Sequence, residues 1–239
     1  MIPLRARLLA EFLGTAALLA AVVGSGIMGS RLSAGNDGIA LLANAGATAA
    51  ILYVLIETLG PVSGAHFNPA VTLAMLARRR VGRREAAAYV AVQVAAAVAG
   101  VLLAHAMFGE PLLQAGVQAR SGYAQWLSEL VACFGLVLAI LLGVERRPSA
   151  VPALVACYIF AAYWFTASTS FANPAVTLAR SLTATFSGIR PVDVAGFVMA
   201  QLAGALLAVV VAQARQRRTA LNRPERAGWR CGRRRWGAP

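Results

Sequence analysis

The chain has 239 residues, 59% of them hydrophobic, and its mean hydropathy of +0.67 lies far above that of a soluble domain. Its net charge of +13 comes from 22 arginines, with no lysine, set against nine acidic residues. The arginines sit in connecting stretches and in the last 25 residues, which excludes a basic nucleic-acid-binding face and suits a protein that crosses a membrane repeatedly.

The first apolar run, about 8–28, contains Glu11 and is longer than a signal-peptide core, so it predicts a spanning helix. A polar turn over 29–37 leads to a second span over about 38–59. The Gly60-Pro61-Val62-Ser63-Gly64-Ala65-His66 stretch is expected to break that helix. Asn68 and Pro69 follow, a capping residue and a favoured first helical residue, and start a short helix over 68–77. Five arginines between Arg78 and Arg84 close it. A third span covers about 85–107, and residues 108–121 form a connecting loop. The plan then repeats: spans over about 122–144 and 149–167, a short helix over 173–182, and a span over about 192–214. Residues 215–239 read as a disordered arginine-rich tail. Cys133, Cys157 and Cys231 show no paired spacing, so neither a disulfide framework nor a metal site is indicated, and no cofactor is expected.

The seven residues Asn68 to Ala74 recur letter for letter at Asn173 to Ala179, 105 positions later. This copy divides the chain into a first repeat (1–107), a connecting loop (108–121), a second repeat (122–214) and the tail (215–239). Each short helix is about 15 Å long, half the thickness of a bilayer's hydrocarbon core. Three spans per repeat is an odd number, so the second repeat inserts upside down and the two short helices enter from opposite faces. Their amide-tipped starts then meet at the midplane, backed by two helix dipoles. With both termini in the cytoplasm, 18 arginines lie on the inner side and four on the outer. The expected location is the inner membrane of a bacterial-type cell.

Six spans, two inverted repeats and two Asn-Pro-Ala short helices resemble the aquaporin and glycerol-facilitator superfamily, the major intrinsic proteins. Ser63 to Thr72 closely matches that family's first motif, and Glu11 with Glu129 and Gln93 with Gln201 are repeat-related matches. The resemblance implies an all-α, six-span membrane fold and a homotetramer with one pore per subunit. It also implies a passive, proton-excluding channel in which Asn68, Pro69, Ala70, Asn173, Pro174 and Ala175 form the pore motifs. Where most members carry an Arg after the second Asn-Pro-Ala, this chain has Val176, as in a bacterial subgroup associated with metalloids. Ungapped counting places the other constriction residues at Thr48, Ala161 and Ser170. This small, largely apolar set implies a wide mouth suited to glycerol-like polyols or metalloid hydroxides such as arsenite.

Several polar residues have two readings each. Glu11 and Glu129 are expected to hold the re-entrant loops. Arg180 either leans back into the mouth or serves a loop or headgroup role. His66 lines the pore, as the resemblance implies, or packs. Glu57 faces the inner vestibule or an interface, and His105 lies at the membrane interface. The expected partners are water, small neutral solutes and lipid. The rival class is a secondary transporter, which also uses inverted repeats and broken helices but would place ion-coordinating side chains at the midplane. No enzyme is indicated, since no span carries a nucleophile–base pair.

Overall fold

The computed structural model describes residues 2–221. Eight α-helices run in the order α1 (Leu4–Leu32), α2 (Asp37–Ser63), α3 (Pro69–Ala77), α4 (Arg83–Phe108), α5 (Tyr123–Arg146), α6 (Val151–Phe165), α7 (Pro174–Arg180) and α8 (Val194–Leu221). Two 3₁₀ turns, Pro148–Ala150 and Pro191–Asp193, precede α6 and α8. All but α3 and α7 belong to segments long and apolar enough to cross a membrane. The protein is an all-α, multi-pass membrane protein.

Helix α1 extends about four residues beyond its expected 8–28 at each end, into the expected turn, and three other boundaries differ for local reasons. Helix α2 continues through Gly60 and Pro61 to Ser63, because a proline this near the C-terminus removes a single backbone bond. It ends where Gly64 turns left-handed (φ 89°) and returns its N–H to the Gly60 carbonyl. Helix α7 stops at Arg180, two residues early, as the Ser181 N–H tightens onto the Leu178 carbonyl at 3.2 Å. Helix α8 runs to Leu221, so the predicted tail begins as helix; Arg, Gln, Ala and Leu dominate that extension and favour it. The remainder of the tail lies outside the described residues.

Helix α1 packs on α2 and α4, α5 packs on α6 and α8, and α2 meets α6 between the two groups. The closest approaches rest on missing side chains. A Cβ on Gly100 would come within 2.3 Å of the Ala16 carbonyl oxygen, and one on Gly204 within 2.3 Å of the Leu130 oxygen. Backbones in direct contact are how helices associate where lipid removes the hydrophobic drive between them. Large apolar side chains such as Leu9, Val54, Met107, Phe165 and Met199 point outward, as a hydrocarbon solvent requires. The short helices α3 and α7 sit inside this shell. Both touch α4 and α8, and they touch each other.

Candidate functional site

Each short helix is introduced by a stretch of non-helical backbone, and a buried carboxylate holds each stretch. Glu11 of α1 accepts the backbone N–H groups of His66 (2.9 Å) and Phe67 (2.7 Å), together with the Ser63 hydroxyl and the Gln93 amide. Glu129 of α5 accepts those of Phe171 and Ala172, both at 2.9 Å, and the Gln201 amide. Residues 66 and 67 become 171 and 172 on adding the repeat spacing of 105. The backbone repeats as well: Ala65 and Phe67 have φ of 49° and 48°, Ser170 and Ala172 have 50° and 46°. Non-glycine residues in this region are strained and persist only when their surroundings determine them. Here the two carboxylates do so.

The asparagines follow. Asn68 caps α3 by accepting the Ala70 N–H at 2.8 Å, and Asn173 caps α7 by accepting those of Ala175 and Val176 at 3.0 and 3.3 Å. Capping uses only the side-chain oxygen, so each amide NH₂ is left to donate, and the structure divides its use. Asn68 Nδ2 donates to the Ala172 carbonyl and Asn173 Nδ2 to the Phe67 carbonyl, each at 2.8 Å. The two loops are therefore stitched together by a reciprocal pair of bonds. An amide nitrogen carries two hydrogens, so each asparagine keeps one N–H for another acceptor. Pro69, Ala70, Pro174 and Ala175 form the first helical turns around these caps.

Both asparagines line a cavity of about 100 Å³, room for several water molecules in file. It extends from Met75, Val144 and Val151 at the end carrying Arg78–Arg84 to Arg180 at the opposite end. Its wall includes the irregular backbone of residues 64–67 and 170–172, and irregular backbone at membrane depth is tolerated where it lines such a space. Stripes of every fourth residue complete it: Thr48, Leu52 and Ile56 from α2, and Val151, Val155, Ile159 and Tyr163 from α6.

Thr48, Ser170 and Val176 lie in this wall, but Ala161 does not. Ala161 is exposed on the outside of α6, and Tyr163 takes the expected place, its hydroxyl 3.2 Å from the Thr48 hydroxyl. Counting back from Asn173 lands two residues short, and two helical residues rotate a side chain by about 200°, to the opposite face. The i, i+4 stripe ending at Tyr163 was the signal that would have found it. Of the two readings of Glu57, the structure does not bear out the vestibule: it is exposed on α2 and outside the cavity wall. His66 lines the cavity, with Nδ1 3.1 Å from the Thr72 hydroxyl and its ring edge-on to Tyr89. His105, in the last turn of α4, is fully buried, bridging the Leu112 carbonyl and the Thr183 hydroxyl.

Arg180 reaches the cavity and is only 2% exposed. Arg120, from the connecting segment, turns inward beside it, a position the sequence did not suggest. Burial lowers the Arg120 guanidinium from its ordinary value, against the pull of Glu129 and Tyr163.

Residues 2–170 match the family model for the major intrinsic protein. The chain belongs to that family. Like other major intrinsic proteins it is a membrane channel for water and small solutes, not an enzyme. It is 60% identical over 205 residues to the aquaglyceroporin AqpS of Rhizobium meliloti (strain 1021), covering 86% of this chain and 88% of that one. It is 34% identical over 160 residues to a probable aquaporin, PIP2-8, of Oryza sativa subsp. japonica, covering 61% and 56% of the two chains. Among solved structures, the aquaglyceroporin from Plasmodium falciparum superposes with a TM-score of 0.70 over 88% of this major intrinsic protein and 95% of that chain. At 17% identity, that likeness is one of fold.

Proposed function

We propose that this protein is a passive conduit for small uncharged solutes, glycerol-like polyols or metalloid hydroxides as well as water, and that it excludes protons at the paired asparagines. The carrying observation is one cavity running past both Asn68 and Asn173, each with an N–H to spare. A water molecule accepting from both would turn its own hydrogens away from the centre, which breaks a proton wire while the file moves. Thr48, Tyr163, Ser170 and Val176 form the narrow section in this reading, with His66 contributing from the other loop. The name of the Rhizobium relative supports a solute range wider than water.

The chain is read as two inverted repeats, 1–107 and 122–214, joined by 108–121, in the inner membrane of a bacterial cell. The arginine-rich ends of α3 and α8 face the cytoplasm, the arrangement that arginine counts favour. Four copies, each with its own pore, form the working unit. The test is stopped-flow light scattering on proteoliposomes. Vesicles containing the protein should re-swell in glycerol faster than empty ones without any ion gradient. Uptake that depends on a proton or sodium gradient would favour the transporter reading.

A further inference from the structure

The two ends of the cavity carry different side chains on backbone that repeats. Positions 71 and 75 of α3 correspond, at the repeat spacing, to 176 and 180 of α7, and all four side chains line the cavity. The first pair is Val71 and Val176. The second is Met75 and Arg180, a thioether at one end and a guanidinium at the other. Holding a short helix in place therefore does not require a cation at this position.

Arg180 is 2% exposed, and only Nε has a hydrogen-bond acceptor, the Ser187 carbonyl. Neither Nη nitrogen donates to another described residue. Its guanidinium carbon lies 3.4 Å from the centre of the Phe171 ring. Arg120 approaches the same ring at 5.0 Å, fixed by the Gly188 carbonyl (2.9 Å) and the Ser168 carbonyl (3.2 Å). No carboxylate among the described residues forms a salt bridge with either arginine. Glu129 is spent on loop N–H groups, and Asp193 takes the Arg190 side chain and the Arg120 backbone N–H. A buried cation with a like charge beside it is costly, and an ionisable group at membrane depth is kept for what it does.

We propose that Arg180 is the specificity-determining residue of this channel, binding solutes through its two unpaired Nη groups. The inference rests on the channel reading above. A guanidinium offers parallel donors that match two adjacent oxygens, so its preferred ligand is a neutral solute with neighbouring hydroxyls, such as a 1,2-diol or a trihydroxide. A water molecule offers one oxygen and gains only one contact. The fixed charge, reinforced by Arg120, turns back cations. Val176 leaves the wall beside it open, so selection falls to the residue one helical turn further on.

The test uses the full-length chain in proteoliposomes, measuring water, glycerol and methylammonium permeation. Arg180→Met installs the side chain that the other repeat carries at the same place. We expect it to lower the glycerol-to-water permeability ratio about tenfold, the equivalent of one charge-assisted hydrogen bond, and to admit methylammonium. Arg180→Lys should keep methylammonium out yet still lose part of the ratio, because the charge remains while the planar fork is gone. If Arg180→Met does not reach the membrane, Arg180→Lys still decides, since an unchanged ratio there overturns the inference. A conducting wild type whose Arg180→Met variant keeps both the ratio and the exclusion of methylammonium overturns this inference alone. A wild type that passes neither water nor glycerol overturns the channel reading too.

Discussion

The loop ahead of Asn68 and the loop ahead of Asn173 make the same backbone bonds with different side chains. In each, a buried glutamate takes two consecutive N–H groups, three residues adopt left-handed backbone (Gly64, Ala65 and Phe67; Thr169, Ser170 and Ala172), and the asparagine donates to the opposite loop. A glutamine from the last long helix of each half then joins the glutamate to the threonine four residues beyond the asparagine, Gln93 to Thr72 and Gln201 to Thr177. Around this shared frame the cavity-lining residues diverge: His66 against Phe171 and Met75 against Arg180. On the function proposed above, the frame supplies position and the divergent residues select what passes. Changes to the frame should therefore act on folding, equally in both halves, whereas changes to the divergent set should act on selectivity in one half.

The largest effect is expected from Glu11→Ala and Glu129→Ala. Each leaves two buried N–H groups without an acceptor and should destabilise the protein by on the order of 3–5 kcal/mol, read as thermal unfolding in detergent. The two losses should agree within about 1 kcal/mol, the usual spread of a buried contact; a large cost in one half alone would break the equivalence. A smaller effect distinguishes Tyr163 from its neighbour. Tyr163→Phe removes the hydroxyl facing Thr48 and should cost about 1 kcal/mol while shifting the solute-to-water ratio. Ala161→Leu, on the exposed face of α6, should stay within about 0.5 kcal/mol and leave flux unchanged. Reversal of that order would return the constriction to Ala161.

The fold was legible because its signals are local. Apolar run lengths gave six spans, the duplicated motif gave two short helices, and Asn followed by Pro marked where each begins. The expected pairing of Glu11 and Glu129 with the loops was legible because a carboxylate inside an apolar span needs donors, and the N–H groups of residues 66–67 and 171–172 donate to them. What the sequence hid depends on how irregular backbone folds back. Tyr163 was missed because residues 166–172 are not helical, so counting across them loses the helical phase. Glu57 kept two readings because its helical face could not be read from an apolar stretch with no clear polar side. Arg120 and His105 act through contacts with residues about 50 to 80 positions away, Ser168, Gly188 and Thr183, which no periodicity reports.

The central claim is that Asn68 and Asn173 bound the midpoint of an open path. Stopped-flow re-swelling of proteoliposomes containing Asn68→Leu or Asn173→Leu, compared with wild type at equal amounts of folded protein, tests it most directly. Glycerol and water permeability should fall close to those of empty vesicles in either variant. Near-normal flux in either one would contradict the account.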